Sequence, residues 1–293
     1  MQVFSGLSLF TILLLMSLGL AIVFGLMGVI NMAHGELMAL GAYVTYMVSV
    51  FFESFLPSLM GIYLFVAIFA AFAVTFAFGY FLERTFIRWF YNRPLDTLLA
   101  TWGLSLVLQQ CYRTLFGSQE VSVRLSSWLN GAWEPTANIQ LPLSRIFIIG
   151  LTILVAIGVY FLLYKSRWGL KVRAVTQNRA MSAAVGINTN RVDALTFALG
   201  SGLAGIAGSA FTMLGSTNPS TGQLYIVDSF IVVVFGGVQS LLGTALSAFT
   251  IAQSQTTLEY LMSGTAAKVT ILLCVIVTLY FRPQGLFSSK VRE

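Results

Sequence analysis

Residues Ser166 to Asn190 read SRWGLKVRAVTQNRAMSAAVGINTN, the longest polar run in an otherwise very apolar chain. Lys165, Arg167, Lys171, Arg173, Arg179 and, just beyond, Arg191 carry its charge, and no acidic residue appears until Asp193. In a membrane protein such a run belongs on the cytoplasmic side, where positive loops are retained. Within it a short helix is predicted. Thr176 or Asn178 can cap its start, since a short side-chain oxygen accepts an otherwise unpaired backbone N–H. Ala180 with Ala184, and Met181 with Val185, fall at i,i+4 and make one weakly apolar face. Gly186 stands where a helix ends in a left-handed residue. The stretch reads either as an ordinary cytoplasmic loop or as a docking helix on which another protein pushes.

The surrounding composition makes this a membrane protein. Of 293 residues, 57% are hydrophobic and 9% charged, against about 25% charged in soluble domains. With a mean hydropathy of +0.86 and apolar runs of spanning length, the chain is all-α and polytopic. The runs are continuous rather than alternating, which argues against a β-barrel. The net charge of +6 sits in loops and does not imply nucleic-acid binding. Cys111 and Cys274, far apart in apolar surroundings, read as packing residues with no disulfide or metal spacing. The start, MQVFSGLSLFTILLLMSLGLA, lacks a basic region and reads as the first span rather than a cleaved signal.

Outward from the basic stretch, apolar segments fall at 5–27, 37–52, 59–82, 95–116 and 145–164 on one side. On the other they fall at 192–214, 224–237, 238–262 and 267–281. Arg84, Arg88 and Arg93 mark one cytoplasmic loop, and the tail from Arg282 through Lys290 and Arg292 another. The loop 117–144 carries balanced charge (Glu120, Arg124, Glu134) with Trp128 and Trp133, and belongs outside along the interface. Segment 224–237, at about 21 Å, is shorter than the roughly 30 Å core and reads as a short crossing or a half-helix. About eight or nine membrane-embedded helices follow, with the N-terminus outside. They form one transmembrane domain over 1–293, with halves 1–164 and 192–281 joined by 165–191.

Two segments echo each other. Asn31-Met-Ala-His-Gly-Glu-Leu37 and Asn218-Pro-Ser-Thr-Gly-Gln-Leu224 share Asn-x-x-x-Gly-[Glu/Gln]-Leu, and each follows a Gly-rich span. The first of those spans runs inward and the second outward, the pattern of an inverted repeat with discontinuous helices, and such breaks mark transport sites. Polar residues at membrane depth are functional candidates by default, here Asn31, His34 and Glu36 at the first break and Asn218, Gln223 and Asp228 at the second. Each also has a structural reading: the asparagines as half-helix caps, His34 and Glu36 as braces to neighbouring helices. A charge at that depth costs roughly 2.5–3.5 kcal/mol, so Glu36 and Asp228 should find partners or water. The chain shows no catalytic constellation, and none of its four lysines stands in a G-x-x-x-x-G-K-[ST] loop. It should bind neither metal nor nucleotide cofactor, so any ATP-driven motor lies in another subunit.

The run GLMGVINMAHGELMALGAY, the segment TQNRAMSAAVGINTNRVDALTFALGSGLAGIAG, FGGVQSLLGT and the tail FRPQGLF resemble the branched-chain amino acid ABC-importer permease family over essentially the whole chain. RPLDTLLATWGLSLVLQQ (93–110) and TQNRAMSAAVGINTNRVDALTF (176–197) resemble its urea-importer branch more than its amino-acid branch. The resemblance implies a permease of the bacterial plasma (inner) membrane, moving urea or a related small amide by alternating access. It implies a second homologous permease subunit, two cytoplasmic ATPase subunits that use ATP and Mg, and an extracytoplasmic substrate-binding protein. The coupling helix would then be built from Thr176, Asn178, Arg179, Ala180, Met181, Ala184 and Gly186. The alternatives are a permease for branched-chain or other amino acids, a self-sufficient secondary transporter or channel that uses His34 and Glu36, and a membrane scaffold.

Overall fold

The computed structural model describes residues 2–91, 93–136 and 139–287. The tail residues Lys290 and Arg292 and the side chain of Glu134 lie outside the described residues. Among those described, the chain forms eleven α-helices: α1 (Gln2–Met27), α2 (His34–Phe55), α3 (Tyr63–Thr85), α4 (Pro94–Phe116), α5 (Leu143–Tyr164), α6 (Arg167–Gln177), α7 (Arg179–Ala184), α8 (Thr189–Phe211), α9 (Thr221–Gly236), α10 (Leu241–Leu261) and α11 (Gly264–Phe281). Of these, α1, α2, α3, α5, α8 and α11 are long and apolar enough to cross a membrane. The helices α4 and α10 have the length with more polar residues, and α9, with 16 residues, spans only about 24 Å. The polytopic α-helical class therefore holds, with α6 and α7 as short helices outside the bundle. A small antiparallel hairpin, β1 (Ala132–Thr136) with β2 (Ile139–Pro142), sits in the loop between α4 and α5. The sequence reading did not anticipate it.

Contacts at the helix ends fix which end faces which. Thr176 of α6 donates to the carbonyl of Leu26, at the end of α1. The tail returns to the end of α9, where Leu286 N–H donates to Phe235 O and Phe287 N–H to Gly236 O. These ends share one face with Arg84, Arg88 and the basic segment 165–191, the cytoplasmic face by the charge rule. On the opposite face Arg124 pairs with Glu53 at 3.1 Å, Tyr63 donates to Arg124 O, and Trp128 donates to Gly61 O while stacking on Phe65.

The core is a seam of close backbone approaches around α8, which is buried along most of its length. Gly200 faces Gly19 of α1, Gly205 faces Gly41 of α2, and Gly202 takes the ring of Phe72 of α3. In a bilayer, helices associate through such close packing rather than through a hydrophobic driving force between them. Cys111 and Cys274 are exposed on helix surfaces, so the expectation that they pack inside is corrected: both sit on outward faces of outer helices.

Candidate functional site

The two echoing segments meet. Helix α1 ends at Met27, and Gly28 takes a left-handed conformation (φ 68°). The chain then turns back into the bundle. Thr101 of α4 holds this returning segment, accepting from Met32 N–H at 3.1 Å while its hydroxyl donates to Thr97 O within α4. Helix α2 starts only at His34, whose Nε2 lies 3.2 Å from the carbonyl of Met16. Met16 stands eleven residues before the end of α1, about 16 Å along its axis, so α2 begins deep in the bundle. The second break mirrors this. After α8 the chain returns from the outer face, and α9 begins beside α2. Gly35 and Gly222 touch backbone to backbone, so that a Cβ at either would collide with the carbonyl of the other.

Around this contact the structure places the predicted polar residues differently from one another. Asn31 and His34 are buried bracing groups: Asn31 Oδ1 accepts from Ala33 N–H at 3.0 Å, and His34 is fixed to α1. Glu36, 1% exposed, reaches α4. Its Oε1 accepts from Ser105 Oγ at 3.0 Å and Gln109 Nε2 at 2.9 Å. The same Gln109 nitrogen lies 3.4 Å from Gln223 Oε1 on α9. Glu36 and Gln223, matching positions in the echo, are thus bridged by one glutamine that was not among the pathway candidates. Ser105 and Gln109 stand four residues apart on one face of α4, a polar stripe visible in the sequence; only the fold shows what it meets.

Asn218 and Asp228 do not join this cluster, so the grouping of three residues at the second break is corrected. Asn218 folds the outer turn instead: its Oδ1 accepts from Ser220 N–H and Thr221 Oγ1. Its Nδ2 donates to Glu120 Oε1 at 3.4 Å. Ser216 also donates to Glu120, and Val121 and Thr217 exchange two backbone hydrogen bonds. Together these tie the loop after α4 to the re-entrant segment as an outer latch. Asp228 lies nearly two turns further along α9 and pairs with Lys268 of α11 at 2.8 Å.

The latch has a pH signature. Hydrogen bonds from Ser216, then Asn218, hold the Glu120 carboxyl below its ordinary value of 4.5. A depressed carboxyl contributes stability that is present above the unfolded value and lost as pH falls through the folded one. The latch should therefore be intact across neutral and mildly acidic media. Below about pH 4.5, thermal stability of the purified protein should fall more steeply than in Glu120→Gln. Parallel curves for the two proteins between pH 3 and 6 would remove the latch from the account.

On the cytoplasmic face the predicted docking helix is α7. Asn178 caps it, accepting from Met181 N–H at 2.9 Å, and Gly186 follows with φ 86°. Thr176 does not cap it and is corrected to the last turn of a separate helix, α6, which the sequence reading missed. Ser166 caps α6 by accepting from Gly169 N–H, and Val172 and Val175 bury its inner face. The helix was missed because its outer face is basic and the run reads as polar throughout. Helix α7 presents Ala180, Met181, Ala184 and Val185 outward, Met181 at 62% and Val185 at 69% exposure. Arg179 anchors it, with Nη1 2.6 Å from Asp193 Oδ2 on α8 and its guanidinium 5.3 Å from the Tyr91 ring. Tyr91 donates to Glu83 of α3 at 2.7 Å. Burial, and then Glu83, hold the Tyr91 phenol far above its ordinary range, so it stays a donor.

The family model described as "branched-chain amino acid transport system / permease component" matches residues 2–280. The high-affinity branched-chain amino acid transport system permease protein LivH of Escherichia coli (strain K12) is 30% identical over 305 residues, covering 100% of this chain and 96% of that protein. LivH of Salmonella typhimurium shows the same identity and coverage. BraD of Pseudomonas aeruginosa is 29% identical over 298 residues, again covering 100% and 96%. No solved structure matches. With six helices among the described residues long and apolar enough to cross a membrane and this full-length match, the chain is a multi-pass membrane transport subunit and belongs to the branched-chain amino acid transport system permease family.

Proposed function

We propose that the chain is the permease subunit of an ABC importer in the plasma (inner) membrane, switching a small nitrogenous solute between the two faces by alternating access. It performs no covalent step. The observation that carries this is the contact between two helix starts inside the bundle, Gly35 of α2 and Gly222 of α9, bridged by Glu36, Gln109 and Gln223. Helix breaks at matching positions of two halves point to where a transporter holds its cargo. The two breaks support inverted halves, 1–164 and 192–281, joined by the cytoplasmic segment 165–191. The exposed helix α7 supports docking of ATPase subunits, which would bind ATP and Mg. A second, related permease would cover the outward face of α4, where Leu95, Leu99, Trp102, Leu106 and Val107 stand exposed. A substrate-binding protein would deliver cargo at the outer latch.

For the cargo, the names of the relatives favour branched-chain amino acids. One observation favours a second reading, urea or a related small amide: Glu36 and its partners include no lysine or arginine to hold a substrate carboxylate. The complex assembled with its ATPases, second permease and binding protein should show ATP-dependent uptake in proteoliposomes. On the amino-acid reading leucine accumulates and urea does not compete; on the amide reading the pattern reverses. Equal uptake by this chain alone, without ATPases, would instead support a secondary transporter. Gly186→Pro should abolish coupled uptake, and intact uptake would displace the docking site from α7.

A further inference from the structure

We propose that the Glu36 carboxylate, presented by Ser105 and Gln109, reads the N–H groups of the transported solute, and that Gln109 and Gln223 set which N–H pattern is accepted. This rests on the permease reading above and adds the recognising atoms.

Glu36 is enclosed, yet only half of its carboxylate is used. Oε1 takes both donors from α4, while Oε2 has no hydrogen-bond partner among the described residues. No ion pair among the described residues reaches it either. A buried acceptor left unmatched carries a free-energy cost that an arriving donor removes. A brace between α2 and α4 would not need that second oxygen, since Tyr112 already joins these helices by donating to the Glu36 backbone carbonyl at 2.9 Å. The cluster also ends on an exposed residue. Gln109, itself buried, lies 3.4 Å from Gln223, which is exposed on α9, so the line Glu36–Gln109–Gln223 runs from an enclosed carboxylate to an exposed side chain. The chemistry called for is a compact group rich in N–H donors. The ammonium of an amino acid and the amide nitrogens of urea both meet it, and charge separates them: an ammonium needs the carboxylate charge, an amide only its lone pairs.

The test uses the assembled complex in proteoliposomes, with labelled leucine and urea as probes. The variants are Glu36→Gln, Gln109→Leu and Gln223→Ala. The last is exposed and leaves the bundle intact even if the others perturb it. Loss of one hydrogen bond to a charged group predicts a rise in KM of about tenfold or more for Gln109→Leu, with the subunits still assembled. Gln223→Ala should raise KM less and admit N-methylated analogues as competitors that the wild type excludes. Under Glu36→Gln a carried ammonium loses uptake almost entirely, whereas a carried amide keeps part of it; either pattern supports the assignment. Unchanged KM and unchanged analogue exclusion in both Glu36→Gln and Gln223→Ala would overturn it. A wild-type complex that moves neither probe with ATP would instead overturn the permease reading for these cargoes, a separate result.

Discussion

Valine at Gly222 is expected to eliminate uptake, by at least a hundredfold, while the same change at Gly158 leaves it intact. A Cβ at Gly222 meets the carbonyl of Gly35, and the atom met is backbone, which cannot rotate aside. The helices must separate. Overpacking a well-filled site costs typically about 1–3 kcal/mol, and here the strain falls on the contact that brings Glu36 and Gln223 within reach of one glutamine. The transport loss should exceed the stability loss, because small displacements of a positioned site cost far more in rate than in folding. At Gly158 an added methyl group would meet nothing within 4 Å, so this position serves as the control. Uptake and detergent melting temperature, measured together, check both halves. Normal uptake by Gly222→Val would mean that the contact between the starts of α2 and α9 does not have to stay closed.

The second large effect is expected at Arg179 and Asp193. Asp193 has only 7% of its side chain exposed, while Arg179 has 44%. Removing the arginine strands a nearly buried carboxylate; removing the aspartate merely frees a guanidinium to reach water. Arg179→Ala should therefore destabilise more than Asp193→Ala, by about 1–3 kcal/mol, discounted by the exposure of the arginine. The double variant should recover part of the difference, giving a coupling energy in a double-mutant cycle. In the assembled complex both single variants should hydrolyse ATP with little uptake, because α7 loses its tie to α8 and, through Tyr91, to α3. Additive effects on stability, or uptake that stays proportional to hydrolysis, would reduce the pair to a surface contact.

What the sequence made legible was local in origin. The spans announce themselves by apolar length, and Asn178 and Gly186 bracket α7 because capping needs only neighbouring residues. The echo between residues 31–37 and 218–224 was legible as a pattern, and its glycines and its Glu/Gln positions prove to be neighbours. What the sequence did not disclose is partnership between distant residues. Nothing near Gln109 in the chain says that it will bridge Glu36 and Gln223, and nothing near Asp228 says that Lys268 will take it away from the cluster. Asn218, read as a pathway candidate, turned outward to the latch because its side chain serves the turn that starts α9. Helix α6 escaped because its apolar face is only a few residues wide within a basic run.

The contact between Gly35 and Gly222 also sets a timetable for biogenesis. The two residues are 187 positions apart, and at roughly 5–20 residues per second of synthesis the first waits about 10–40 s for the second. During that interval α2 starts from an open groove in which Glu36 has its α4 donors but no neighbour from α9. Helix α8, which fills the seam between α1, α2 and α3, arrives only shortly before. The nascent first half should thus be a substrate for membrane quality control, and a chain truncated after α5 should be degraded rather than accumulate.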